Sequence, residues 1–194
     1  MNEVLQALMT RRSIRSFTRQ PVSPADRDAI LQAASYAPSG SNHQCWRFTA
    51  LEHPAALAQC NEAVWEGLRT LPTTPDDYPT LLAYQRRAMG HPTDSFFYDA
   101  PLLILFSNER GYANAMADCA AALENALLAA HGLGLGGCWI NQPTWTCDQP
   151  AVRACLTAWG LPSTHAVCGA AAIGHPAGPP PQPAPRRQNI IHIN

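Results

Sequence analysis

The 194-residue chain contains no lysine: all thirteen of its basic side chains are arginines. A pyridoxal Schiff base and a Walker A phosphate loop both need the amine, so both chemistries are excluded. The seven cysteines, at 45, 60, 119, 138, 147, 155 and 168, form no C-x-x-C pair, and no histidine stands at zinc-finger spacing from them. No metal site is therefore expected, and the thiols read as reduced, in a cytoplasmic protein. Apolar runs of membrane-spanning or signal-peptide length are absent too: Glu3 sits near the start, and Asp118, Glu124, Asn125 and His131 interrupt the Ala-rich stretch 113–137. A formal charge of −1 and a pI near 6.6 give no reason to expect nucleic acid or an anionic membrane as partner. There is no internal repeat.

What charge there is lies unevenly. Residues 1–27 hold five Arg and two acids, residues 28–152 five Arg and twelve acids, and the chain beyond them three Arg and no acid. Both ends are basic, which one shared anionic ligand would explain, as would solvated termini.

The length fits one domain with a real core. Val4, Leu5, Leu8 and Met9 make an apolar stripe at helical spacing that runs into the basic corner Arg11-Arg-Ser-Ile-Arg-Ser-Phe17, where Ile14 and Phe17 look buried. Ser23-Pro24-Ala25-Asp26 reads as an N-cap with Pro at N1, opening a helix with Ile30, Leu31, Ala34 and Ala37 on one face. A strand over about 47–52 and a helix from Pro54 to about Leu68 follow. Residues 69–100, broken by Pro72, Pro75, Pro79, Gly90 and Pro92, read as a lid or binding excursion with a short helix near 81–89. Tyr78, Tyr84, Phe96 and Phe97 are its candidate aromatics, for the lid or for the core. The run 101–106 is expected to be a central strand buried on both faces, and 112–131 a long helix closed by Gly132. Two more strands, 136–141 and 166–173, enclose a helix that Asp148 caps and Gly160 and Pro162 end. From Gly174 a Pro-rich arm leads to Asn189-Ile-Ile-His-Ile-Asn194, which regains strand character and reaches for a sheet edge, its own or another chain's.

The most informative stretch is Ala37-Pro-Ser-Gly-Ser-Asn-His-Gln-Cys-Trp-Arg-Phe48. Pro38 and Gly40 break the preceding helix, and Ser39, Ser41, Asn42 and Gln44 offer more short donors than an irregular loop can pair internally, so the loop is suited to a polar ligand or is a plain turn-rich connection. Gly132-Leu-Gly-Leu-Gly-Gly137 formally matches G-x-G-x-x-G, but it follows a helix instead of a strand and no acid comes after Asp148 to take a ribose hydroxyl. Its glycines read as a helix cap and a close backbone approach to a planar ligand. Cys45 next to His43 superficially fits a cysteine hydrolase, although adjacency in sequence does not place a base against the thiol.

Taken together, 11–17, 37–48, Asp99-Ala-Pro101, 132–140, Ile173-Gly-His-Pro176 and a late Pro-Arg-Arg resemble, in that order and over nearly the whole chain, the FMN-dependent nitroreductase family. The resemblance implies an α+β fold with a central, mostly antiparallel sheet wrapped by helices, and a homodimer that exchanges its C-terminal arm and strand (174–194) and holds FMN between subunits. By the same resemblance Arg11, Arg12 and Ser13 contact the phosphate and ribityl side and Arg15 the N1/O2 edge. Pro38, Ser39, Gly40, Asn42 and Gln44 come from the partner; the backbone around Ile140 and Asn141 faces the flavin; Arg186 or Arg187 completes the phosphate site. It also implies double-displacement turnover, with NADH or NADPH as electron donor and a small nitroaromatic or quinone as acceptor; the alternative is an FMN-binding protein without turnover. The chain departs from the pattern in offering Arg where Lys often serves, and Cys45 where Pro is commoner.

Overall fold

The apolar run near residue 101 becomes β2, Leu102–Glu109, an interior strand of a four-stranded antiparallel sheet in the order β1-β2-β4-β3. The others are β1, Arg47–Leu51, β3, Gly136–Ile140, and β4, His165–Gly174. The computed structural model describes residues 2–187 and 189–193. Along β2 the side chains go alternately to two cores: Leu103 and Leu105 to one, Leu102, Ile104 and Phe106 to the other. This two-sided burial is why the strand reads as an unbroken apolar run although its neighbours are antiparallel. β4 is built from small residues, so helices approach it closely on both sides; a Cβ at Gly169 would lie 2.9 Å from Leu123.

Among the described residues seven α-helices supply the outer layers: α1 (Glu3–Thr10), α2 (Pro24–Ser35), α3 (Pro54–Thr70), α4 (Pro79–Met89), α5 (Ala115–Gly132), α6 (Gln142–Thr146) and α7 (Pro150–Ala158). Ile30 and Ala34 of α2 and Leu123, Ala126 and Ala130 of α5 fill one core; Val64, Trp65 and Leu68 of α3, Ala88 of α4 and Val152 and Leu156 of α7 fill the other. Each fully buried Leu or Ile contributes roughly 1.5–3 kcal/mol. The start of α2 is as the sequence dictates: Ser23 Oγ accepts the Asp26 N–H at 3.0 Å and donates to its carboxylate at 2.7 Å, with Pro24 at N1. Among the described residues no helix is long and apolar enough to cross a membrane.

Several expectations need correction. The β3–β4 connection holds two helices, α6 and α7, and Asp148 caps neither: Gln149 is the N-cap of α7, while Asp148 pairs with Arg110 and Arg153. Gly132 is the last residue of α5, and the left-handed turn after it falls at Gly134, with φ 76°. The glycines that follow make room for protein, not for a planar ligand: a Cβ at Gly136 would lie 2.8 Å from the Cβ of Ile14, and one at Gly137 2.6 Å from Leu127. Residues 189–193 form no strand within this chain, and Ile190, Ile191 and Ile193 are 70%, 87% and 93% exposed; Asn194, the end of that expected strand, lies outside the described residues. Phe96 and Phe97 belong to the core, Tyr84 packs between Trp65 and Trp145, and Tyr78 is exposed. The stripe on α1 is helical as expected but faces outward: Val4, Leu5, Leu8 and Met9 are all exposed.

Candidate functional site

Segment 11–17 leaves α1 and lies along the outer edge of β3. Ser13 bridges Gly137 in parallel, the Ile14 N–H donates to the Gly137 carbonyl at 3.0 Å, and the Thr18 N–H donates to the His175 carbonyl at 2.9 Å. Ile14 seated over Gly136 fixes this register, because no side chain there would leave it room. The three arginines are thereby placed differently. Arg11 Nε pairs with Glu124 at 3.1 Å. Arg12 Nη1 donates to the carbonyls of Met9 (2.8 Å) and Arg11 (2.6 Å) at the end of α1, and its Nε is buried with no partner among the described residues. Arg15 is exposed and has no carboxylate partner among them.

Arg15 also faces two groups that sequence reasoning missed. Burial raises the pKa of the Cys138 thiol, with Arg15 and Ser13 opposing the rise. Burial, then hydrogen bonding to Tyr84, pushes the Tyr98 phenol up to about 12, again with Arg15 in opposition. Tyr98 and Asp99 both hold left-handed backbone, φ 61° and 54°, an unfavourable conformation for two consecutive non-glycine residues. No sequence signal marks that pair. Cys138 was hidden in what reads as plain strand.

The 38–44 loop is fixed at the other end of α5. The Gly40 N–H donates to both Asp118 oxygens, at 3.1 and 3.3 Å, and the Tyr112 hydroxyl donates to the Gly40 carbonyl at 3.2 Å. Any Cβ at Gly40 would meet Asn114 Nδ2 at 2.2 Å and the Tyr112 oxygen at 2.6 Å. A single 3-10 turn, Gly40–Asn42, brings Ser41, Asn42 and Gln44 to left-handed φ of 52°, 57° and 49°. Gln44 returns two hydrogen bonds within the loop, its N–H to Ser39 Oγ at 3.2 Å and Nε2 to Asn42 Oδ1 at 2.6 Å. Pro38 is exposed, and Asn42 and Gln44 line a recess of about 370 Å³ with Ser35, Tyr36 and Ala37.

One chain does not bring its two motifs together. Ser13 bridges Gly137, which pairs with Ile173, which pairs with Leu102 at the start of β2. The loop instead touches the far end, where the Cys45 thiol donates to Asn108. Leu102 to Asn108 spans about 20 Å at strand rise. Near the first motif, Ile140 is buried and its main chain faces β4, since β-strand groups alternate and Gly137 points outward. Trp139 and Asn141 keep the outward positions, and the Asn141 N–H is taken by Gln142 Oε1 at 3.2 Å. Arg186 and Arg187 are exposed in the arm and form no ion pair among the described residues. A cavity of about 1000 Å³ between 19–24, 52–61 and 93–102 is lined by none of the expected cofactor-binding residues.

For the hydrolase alternative, a histidine stands near the thiol without hydrogen-bonding it among the described residues: a His43 ring nitrogen lies within 4.8 Å of the Cys45 sulfur, while the thiol donates to Asn108. Burial, and then the charge of Glu109, raises the Cys45 pKa; His43 stacks on Tyr112 at 5.1 Å; and His165 Nε2 meets the Cys45 carbonyl, not its sulfur, at 3.1 Å.

Comparison with known proteins gives a consistent result. Residues 8–175 match the model of the nitroreductase family. A nitrobenzene nitroreductase from Ectopseudomonas oleovorans is 32% identical over 193 aligned positions, covering 84% of this chain and 82% of the relative. An NADPH-flavin oxidoreductase from Vibrio harveyi is 30% identical and covers 100% of this chain and 75% of its own. Among solved structures, a nitroreductase with bound FMN from Bacteroides fragilis NCTC 9343 superposes with a TM-score of 0.89 at 38% identity, covering 100% of this chain and 99% of that one.

Proposed function

The chain belongs to the nitroreductase family, and from that membership we propose that it is an FMN-dependent oxidoreductase passing electrons from NADH or NADPH to a small organic acceptor of nitroaromatic or quinone type. The observation that carries this reading is the placement of the two motifs: the first offers an exposed Arg15 with no carboxylate and a buried Arg12 Nε with no partner among the described residues, the second exposes Ser41, Asn42 and Gln44, and a single chain holds them at opposite ends of β2, about 20 Å of strand apart. A homodimer that sets segment 11–15 of one subunit against the 38–44 loop of the other closes that gap. The seven free thiols suit a reducing, cytoplasmic setting.

FMN, when bound, supplies the two-electron chemistry, accepting a hydride from the nicotinamide and giving electrons to the acceptor that follows it into the same pocket. The protein's part is binding and electrostatics. Arg12 and the terminal nitrogens of Arg11, with Ser13, hold the phosphate and ribityl chain, and the buried Arg12 Nε is a donor in want of an acceptor. Arg15, free of any carboxylate among the described residues, balances the negative charge that the ring edge gains on reduction. Pro38, Ser39, Gly40, Asn42 and Gln44 of the partner subunit cover the ring and ribityl. Trp139 and Asn141 at the open edge of β3 face the ring with main-chain groups, and Arg186 or Arg187 adds a cation at the phosphate. The α4 excursion walls the acceptor pocket. Of the two sheet edges, β3 is partly covered by Ser13 and Ile14 whereas β1 carries no ladder partner on its outer side among the described residues, so β1 receives the partner's residues 189–193.

The test is the visible spectrum of the purified protein, then anaerobic titration with NADH and NADPH. Yellow protein that releases FMN on denaturation, is bleached by a nicotinamide and is reoxidised by a nitroaromatic or quinone is the expected result. Colourless protein that fails to take up added FMN overturns the reading, and stable flavin that neither nucleotide bleaches leaves only a binding role.

A further inference from the structure

The loop that leads into β1 ends in a cluster that the flavin reading does not use. His43 and Cys45, just past the 3-10 turn, meet Glu109, the last residue of β2, with the three candidate ligand atoms all within 4.8 Å of one another. We propose that His43, Cys45 and Glu109 form a binding site for a zinc-type transition-metal ion.

An imidazole, a thiolate and a carboxylate are a borderline-soft N, S, O set, which favours Zn²⁺ or Co²⁺ over Mg²⁺ or Ca²⁺. Metal–ligand bonds of about 2.0–2.3 Å in a tetrahedron put ligand atoms roughly 3.5 Å apart, so the cluster has to contract by about 1 Å. His43 and Glu109 are exposed and reach that by side-chain rotation. Two fixed supports stand behind them: the His43 ring stacks on Tyr112 at 5.1 Å, and His165 Nε2 holds the Cys45 carbonyl at 3.1 Å. Three protein ligands leave a fourth position for water or an outside ligand.

A second, independent observation is Asn108. It is 1% exposed and adjoins the sulfur, its Oδ1 accepting the Cys45 thiol and the Glu109 N–H, both at 2.9 Å, while its buried Nδ2 has no partner among the described residues. On metal binding the thiol releases its proton to solvent as the sulfur–metal bond forms. The sulfur then needs a donor instead of an acceptor, and the unpartnered Nδ2 belongs to the same buried amide that the thiol already contacts. Loading would tie the 38–44 loop to the end of β2. The site stands whether or not flavin is bound.

The test uses tag-free protein as purified, titrated anaerobically with Co²⁺ and followed by difference spectra. One equivalent per chain should produce a thiolate-to-cobalt charge-transfer band that Zn²⁺ abolishes. Cys45→Ser should remove the band with circular dichroism unchanged, and His43→Ala or Glu109→Gln should weaken Co²⁺ binding by at least about tenfold. No charge-transfer band at saturating Co²⁺, or a band that persists in Cys45→Ser, overturns the proposal. So does a Glu109→Gln variant that binds as the parent does.

Discussion

The Asp118 carboxylate receives the Gly40 N–H through both oxygens, at 3.1 and 3.3 Å, and so joins the 38–44 loop to the first turn of α5. An acid in that turn also complements the helix dipole. Asp118→Ala removes the acceptor from a partly buried N–H and should cost about 1–3 kcal/mol. Thermal melts should show the loss, and flavin titration a weakened affinity, because the loop's left-handed turn no longer has its anchor. Asp118→Asn keeps an acceptor and should lie between. Unchanged flavin affinity in Asp118→Ala would mean that the loop is not part of the cofactor site.

Arg15 and Cys45 should separate cleanly in the flavin assays. Loss of a charge-assisted hydrogen bond of about 1.5–3 kcal/mol corresponds to roughly 10–100-fold in affinity. Arg15→Ala should therefore weaken FMN by that order and slow its reduction, with Arg15→Lys recovering part of both. Cys45→Ala should leave both within a few-fold. Complete loss of activity in Cys45→Ala with flavin still bound would revive a nucleophilic role for the thiol.

The C-terminal arm offers a two-variant comparison. At about 3.1 Å per residue in polyproline form, 174–185 reach on the order of 35 Å. Ending the chain after Pro176 removes Arg186, Arg187 and the three exposed isoleucines together, and should lose both dimer and FMN in sedimentation and flavin titration. Arg186→Ala with Arg187→Ala should weaken FMN while the dimer persists. A truncated chain that stays dimeric and fully yellow would reduce the arm to a dispensable tail.

Acid stability should register the Arg110–Asp148–Arg153 network. Hydrogen bonding to Arg110 lowers the Asp148 pKa, partial burial opposes it, and Arg153 adds to the lowering. The folded value therefore lies below the unfolded one. The stabilisation is present above the ordinary carboxylate pKa of about 3.9 and is lost as pH falls through the depressed folded value. The Tm gap between wild type and Asp148→Asn should be full at neutral pH and should close at strongly acidic pH. A gap that does not vary with pH would assign the effect to something other than ionisation.

The architecture was readable wherever one local rule decided it. Ser23-Pro24 set the start of α2, and the run after Pro101 set the interior strand. What escaped depended on contacts distant in sequence. Asp148 looks like a cap until Arg110 approaches from the turn just after β2, and the glycines at 136 and 137 look ligand-facing until Ile14 and Leu127 occupy the space above them. The same holds at the candidate site: the motifs mark candidate donors, but nothing in their spacing shows that Glu124 engages Arg11 or that Tyr98 stands near Arg15. His43 and Cys45 lack any zinc-finger spacing because their third partner, Glu109, comes from the end of β2, distant in sequence.

The separation between Ser13 and the Gly40 turn has a genetic consequence. In the shared-site arrangement each dimer has two pockets, and each pocket takes its arginines from one chain and its loop from the other. Arg15→Ala chains alone, or Asn42→Ala chains alone, give dimers in which both pockets carry one lesion. A mixed dimer gathers both lesions into one pocket and leaves the other whole. Two individually defective alleles expressed together should thus complement each other, recovering tight flavin binding in up to one pocket of each hybrid dimer, an outcome that a pocket assembled within a single chain would not produce.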